Sequence, residues 1–528
     1  MISNIGFPSK GELKMRNTLL KITGVLITLM LVNGRVHAGD QMVSEHFAEI
    51  TTKTPELYAF LRAMPKGGDL HSHMVGSAYS EEYIEWGIKE KMCVELATKR
   101  ITNPPCDVRA GKPLLKHAVK NLATYASLVD ALSTRNYHLR DVSGATQFFG
   151  SFAGFDAVTE TENGPAYGLA SAVKRAADQN ILYLELMFSE GMRAARKLGK
   201  TIKWDNNLIR LRQQLMDSGV RELAKKTRSV YDAMEKTART ILNCSSKKIL
   251  LQSNDFCGVQ VRYIASLKRI VPKEQLFAEL VHAFELVKTD PRIVGINLVG
   301  PEDAPITLRN YRQQMELIGS LKKIMPGVSV TLHAGELKLG MVPPRYLRSH
   351  IRDAVEIAQA QRIGHGIDIM HENDPYQLLQ TLVDRDVLIE INLTSNDIIL
   401  GVKGEDHPFP TYLKYGVPVT LSTDDEGVAR INLTHEYLRA AQSYNLTYDQ
   451  IKTMSRNSLT YSFVPGKRLW RSNKYDGFRA ECADQKLYNS ALTNQCDRFL
   501  RKNPKAALQW QLEQNYINFE RAVAKRIK

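Results

Sequence analysis

Eight short runs rich in β-branched and apolar residues, at 68–73, 181–187, 259–266, 293–298, 328–333, 362–365, 387–391 and 417–423, constrain this chain more than any other feature. Each ends in polar residues. The stretches between them carry helical periodicity, as in "EQLFAELVHAFELVK" and "YLRSHIRDAVEIAQA", where apolar residues recur three and four positions apart. Such alternation predicts βα units and a parallel sheet. Eight units predict an α/β fold closed into a TIM (β/α)8 barrel, and barrels with insertions reach the 528 residues present here.

Two segments exceed what the barrel needs. Residues 82–139 are far longer than one crossover and read as an insertion after the first strand. Residues 465–528 follow the last barrel helix and end in the helical pattern "ALQWQLEQNYINFERAVAKRI", a C-terminal extension. No internal repeat or low-complexity linker separates an independent domain, so 39–464 is expected to be one elaborated barrel.

The N-terminus has the character of an export signal. Lys10, Lys14, Arg16 and Lys21 precede an apolar run at 22–32, and Val36 and Ala38 stand where a signal peptidase reads small residues, so 1–38 is expected to be removed. A leader beginning at Met15 has the usual proportions. The run is shorter than the roughly twenty residues a membrane span requires, and the mature chain is expected to be exported, periplasmic or secreted, with no membrane attachment. Six cysteines agree with an oxidising compartment. They fall in three neighbouring pairs, Cys93 with Cys106, Cys244 with Cys257 and Cys482 with Cys496, which suggests local disulfide loops, although six cysteines allow fifteen connectivities.

Formal net charge is +15, and loss of the leader leaves about +11. Lys and Arg are scattered rather than grouped with aromatic residues, so nucleic acid is not an expected partner. A homodimer stays open as an expectation.

In a barrel of this type the chemistry collects where the strands end. The first strand ends in His71-Ser72-His73, and alternation along the strand points both imidazoles to one side. The fifth ends in "TLHAGE", giving His333 and Glu336; the sixth in "RIGHGID", giving His365 between two glycines; the seventh in "LIEINLTSN"; and the eighth in "VTLSTDDEG", giving Asp424 and Asp425. Singly these are weak signals, since a lone His is commonly a turn residue and an Asp-Asp step a helix cap. Their common placement at strand ends is what argues for a site.

The residue types suggest roles. His71, His73 and His333 with Asp424 form a set suited to one Zn2+ per chain with an open position for water. A metal there would lower the pKa of that water to about 7. His365 would orient the water and take its proton, Glu336 would protonate the substrate, and Asp425 would hydrogen-bond it.

The ordered set His-x-His, "HAGE", "GHG" and "STDD", with "SRNSLTYSF" at 455–463, resembles the adenosine deaminase family of metal-dependent amidohydrolases. It is especially similar to the secreted branch related to adenosine deaminase growth factors, which shares "MPKG" before the first histidine and an insertion after the first strand. The resemblance covers roughly residues 40–470. It implies zinc on His71, His73, His333 and Asp424, with His73 also beside the substrate. It further implies protonation of the adenine ring at N1 by Glu336, attack at C6 by hydroxide oriented by His365 and Asp424, Asp425 facing N7, and the Gly300 backbone at the purine edge.

Adenosine or 2′-deoxyadenosine, small purine nucleosides, would give inosine products and ammonia. The chain departs from cytosolic members at Val75, where they place a ribose-binding Asp, at Met187, where they place an Arg, and at Glu426, where they place a Pro. Deamination of adenine or of a 5′-modified adenosine is the alternative substrate reading, and an exported growth-factor-like binding protein the alternative of another class. A cytidine-deaminase type of zinc site is excluded, because "PPCDVR" has Cys106 but Arg109 where the second sulfur is needed.

Overall fold

The computed structural model describes residues 38–243, 255–485, 487 and 491–527. Eight parallel strands follow one another around the sheet: β1 (Gly67–His73), β2 (Ile181–Phe188), β3 (Val259–Lys268), β4 (Ile293–Val299), β5 (Ser329–Ala334), β6 (Arg362–His365), β7 (Leu388–Ile391) and β8 (Val419–Leu421). Helices flank them, as the expected (β/α)8 barrel requires. Near-continuous apolar burial in β2, where all eight residues are inside, is the signature of a strand covered on both faces.

The barrel closes at one end. β8 stops at Leu421, shorter than the expected 417–423, partly because Pro418 has no N–H for the ladder. Ser422 N–H still reaches the Ile391 carbonyl at 3.0 Å, after which the chain pairs with β1: Asp424 N–H donates to the His71 carbonyl at 2.8 Å and His73 N–H to the Asp424 carbonyl at 2.9 Å. The seam between first and last strands is thus made by the histidine and aspartate residues themselves.

The insertion has its own apolar core. Tyr83, Trp86, Ile101 and Leu128 pack with Phe148, Phe155 and Val158, so this unit runs past 139 to the helix Gly144–Thr159, and the crossover helix proper is Gly164–Asp178. Val428, Ala429 and Ile431, just after the aspartate pair, join the same core. At the other end of the barrel the helix Tyr448–Thr460 lies against the opening residues of β1, with Ser458 Oγ accepting from Gly68 N–H at 2.7 Å. The extension's long helix, Pro504–Arg526, packs there too: Phe519 meets Phe60 at 5.0 Å, and Arg456 grips Glu513 through two bonds of 2.8 and 2.7 Å. Its Leu508, Leu512, Tyr516 and Phe519 join the barrel's core, while Ala506 and Ala507 pack with Leu469, Trp470, Phe499 and Leu500 in a small core of the extension's own.

Cys93 and Cys106 are bonded with Cα atoms 5.4 Å apart, and Cys482 and Cys496 with Cα atoms 4.7 Å apart, both ordinary disulfide spans. Cys244 and residues 1–37 of the leader expected at 1–38 lie outside the described residues. Among the described residues no helix is long and apolar enough to cross a membrane.

Candidate active site

Side chains from three strand ends converge on one point. His71 Nε2 and His73 Nε2 lie 3.1 and 3.2 Å from His333 Nε2, and 3.4 and 3.1 Å from Asp424 Oδ1. Two nitrogen lone pairs at such a distance repel unless a proton or a metal ion sits between them. Separations of this length match the edges of a tetrahedron whose corners lie about 2 Å from its centre, the length of zinc–nitrogen and zinc–oxygen bonds, so the donor types and these spacings suit that metal. His365 also falls in the cluster: ligand atoms of His71, His333, His365 and Asp424 lie within 4.8 Å of one another, as do those of His73, Asp424 and Asp425.

Outer contacts orient these groups. Glu390, on β7, accepts from His71 Nδ1 at 2.7 Å, and Asn297, on β4, accepts from His333 Nδ1 at 2.9 Å. Arg362 and Thr331 Oγ1 hold the other Glu390 oxygen at 2.6 and 2.9 Å. Against burial, which would raise it, Arg362 and His71 keep the Glu390 carboxyl down at about 2, so a full negative charge stands behind His71. Arg362 continues to Glu185 at 2.6 Å and stacks 3.8 Å over the Phe463 ring, the last residue of the "SRNSLTYSF" motif. Ser395 Oγ donates to Asp424 Oδ2 at 2.6 Å. Burial, with the imidazoles of His71, His365 and His73, drives His333 well below the usual range, leaving it neutral.

Glu336 sits beside this cluster on the turn after β5. Burial first, then the charges of Asp424 and Glu302, push its carboxyl well above the usual range, and its Oε1 is buried without a hydrogen-bond partner. Its backbone N–H and that of Gly335 are pinned by Glu302 at 2.9 and 3.0 Å, which also accepts from His350 Nδ1 at 2.6 Å. Burial, partly opposed by His73, and the adjacent Asp424 charge raise Asp425 to about 8, and its Oδ1 too is buried and unpartnered. Two buried carboxyls, both raised above their usual range, thus stand beside a metal-type cluster.

The local backbone is unusual. Asp424 has φ +59 and His365 φ +72, a left-handed conformation rarely used by residues with side chains and concentrated at functional sites. Strand alternation is therefore not what separates Asp424 from Asp425; the left-handed turn does. In "GHG" the first glycine has a steric task, since a Cβ on Gly364 would stand 2.5 Å from His71 Cε1. Gly76 is equally constrained, because a Cβ there would overlap the Asp425 carboxyl.

His71, His73, His333, Glu336, His365, Asp424 and Asp425 are all placed in or beside the cluster. Gly300 lies just past β4 with φ +104, two residues before Glu302. Val75 is half-buried against the insertion's core, and Met187, opposite His73 in the β1/β2 register, is buried with its Sδ 3.5 Å from Asn297 Nδ2. Reading by residue type missed Glu390, Glu302, Asn297, Ser395 and Asn396. A charged residue inside the apolar run "LIEI" was the available signal for Glu390.

Comparison with known proteins gives partial matches. Residues 247–471 match the family model described as adenosine deaminase. An adenosine deaminase of Clostridium perfringens is 32% identical over 181 residues, 34% of this chain and 51% of the relative. One of Vibrio vulnificus is 26% identical over 287 residues, 54% of this chain and 69% of the relative. The chain thus spans about half the length of the first of these. A zinc-bound amidohydrolase from Burkholderia ambifaria shares the fold, with a TM-score of 0.50 at 16% identity over 82% of this chain and 91% of its own.

Proposed function

We propose that this chain, whose residues 247–471 match the adenosine deaminase family model, hydrolyses adenosine and 2′-deoxyadenosine to inosine products and ammonia. The observation that carries the reading is the buried Glu336 carboxyl, pushed well above the usual carboxylate range, beside a cluster of three imidazoles and a carboxylate. His71, His73, His333 and Asp424 would hold one zinc ion, which when bound supplies Lewis-acid activation of a water at neutral pH.

The side chains account for the rest. Glu336 delivers its proton to N1 of the adenine ring, which draws electron density from C6 and makes that carbon electrophilic. As the oxygen–carbon bond forms at C6, His365 faces the reacting centre from a fully buried position and steadies the charge that develops there. Cleavage of the bond to the amino nitrogen, which takes up a proton, releases ammonia. Asp425 hydrogen-bonds N7 through its unpartnered Oδ1, and the Gly300 backbone borders the purine. The leader-like N-terminus and two close cysteine pairs support an exported, periplasmic or secreted enzyme.

Replacing Glu336 by Gln keeps the shape and removes the transferable proton. The expected result is a loss of roughly 10²- to 10⁴-fold in kcat with zinc content unchanged; full activity would overturn the assignment. A second substrate reading, adenine or a 5′-modified adenosine, has its own support, because Val75 and Met187 offer no charged group to a ribose hydroxyl. Relative kcat/KM for adenosine, 2′-deoxyadenosine, adenine and AMP separates the two.

A further inference from the structure

The imidazoles of the site are not all held by the same kind of partner. His71 Nδ1 faces the Glu390 carboxylate at 2.7 Å and His333 Nδ1 faces Asn297 Oδ1 at 2.9 Å. Both partners only accept, so each Nδ1 carries a proton and each Nε2 is the nitrogen turned into the cluster. His365 is held the opposite way. Its Nδ1 lies 2.9 Å from Asn396 Nδ2 and 3.4 Å from Asn392 Nδ2, and an amide nitrogen only donates.

The orientation of that Asn396 amide is set from outside the site. His407 Nδ1 accepts from the backbone N–H of Phe409 at 3.1 Å, at the start of the helix Phe409–Lys414. A backbone N–H cannot reverse its role. With Nδ1 so engaged, His407 carries its proton on Nε2 and donates it to Asn396 Oδ1 at 3.1 Å. The oxygen being committed there, the amide nitrogen faces His365, and His365 Nδ1 accepts. Burial pushes His407 down to about 3, so it stays neutral, with the one donor and one acceptor nitrogen this chain of bonds uses. Glu336 Oε1, 3.8 Å from His365 Nδ1, is too distant to compete.

We infer that Asn396 and His407 are positioning residues that lock His365 in its Nε2–H tautomer, so that His365 enters the reaction as a hydrogen-bond donor to the oxygen at C6 and not as a metal ligand. This role rests on the deaminase reading; the tautomer itself does not. Distance alone would place His365 among the ligands, yet a protonated Nε2 has no lone pair to offer an ion. That same Nε2 is buried and without a protein partner, free to meet the reacting oxygen. A proton leaving the attacking water then passes to the Asp424 carboxylate, since Nε2 already carries its own and Asp425 is committed to N7.

The test is the protonation of the ring nitrogens in selectively ¹⁵N-histidine-labelled protein, metal-free and zinc-loaded, with His365 signals assigned against His365→Gln. The wild-type chain should show a protonated Nε2 and a bare Nδ1 in both states; a protonated Nδ1 would overturn the proposal. Asn396→Asp puts an acceptor in place of the donor and should move the proton to Nδ1. Its kcat should fall about 10²- to 10⁴-fold, as when a catalytic imidazole is forced into the wrong tautomer, with KM and zinc content little changed. His407→Phe frees the amide to turn and should lower kcat by about tenfold. Wild-type kcat in a zinc-loaded Asn396→Asp protein would refute the role. A wild-type chain that deaminates no purine nucleoside while keeping the Nε2–H signal would instead refute the function and spare the lock.

Discussion

Gly364 is the residue on which the His71 ring rests. Any side chain there collides with Cε1, so Gly364→Ala should push the ring from its place and weaken zinc binding by roughly 10- to 100-fold, measured by competition with a chelator. Unchanged affinity would show that the ring has slack. A different buried imidazole, His282, gives a stability prediction. Burial lowers it from 6.5 to about 4, so between those values the unfolded chain binds a proton that the folded chain does not. Its contribution is intact above about pH 6.5 and is lost as pH falls toward 4, at up to about 1.4 kcal/mol per unit. Denaturant unfolding of His282→Leu across that window should show a shallower acid slope than the wild-type chain; an equal slope would contradict the assignment. At this scale the sequence was informative about residues whose type is itself a signal. Four histidines and two aspartates at strand ends stood out by their chemistry. Glu302, Glu390 and Asn396 did not, because a single polar residue acquires its meaning only from the partner folding brings to it, and the left-handed backbone at Asp424 leaves no mark in composition.

Among the elements, the link after β8 joins chemistry to architecture. It closes the barrel through Asp424 and then enters the insertion's core through Val428, so the insertion braces the segment that carries two of the site's carboxylates. Arg175, on the crossover helix, strengthens that brace by donating to Glu426, to Glu82 at 2.8 Å and to the Ser77 carbonyl at 2.7 Å. Glu426 is thereby explained as the anchor for Arg175. Arg175→Ala should destabilise the fold by about 2–3 kcal/mol in denaturant unfolding, below the 3–5 kcal/mol of a fully buried pair because Glu82 is 29% exposed. A loss under about 0.5 kcal/mol would mean the network contributes little. The eight strands were legible because period and length agree along each run. β8 was overextended because its apolar pattern continues past the point where the backbone turns to β1, and the insertion was cut short because Phe148, Phe155 and Val158 repeat at helical spacing like any barrel helix.

For the whole molecule, the arrangement divides labour between the two ends of one barrel. Aromatic and ionic contacts from the N-terminal helices and the extension fill the end where the strands begin, while the titratable cluster occupies the end where they finish. The order of the site residues along the chain was readable because parallel strands place consecutive ends side by side. Which sugar or phosphate the mouth accepts was not, since that depends on how the insertion and the departures at Val75 and Met187 shape the rim. The central claim, hydrolytic deamination that depends on a metal held by His71, His73, His333 and Asp424, is tested most directly by ammonia release from adenosine using one preparation as isolated, stripped by chelator and restored with zinc. We expect turnover to disappear on stripping and return with one equivalent of zinc per chain. Turnover that survives stripping, or zinc-loaded protein that releases no ammonia, would contradict the account.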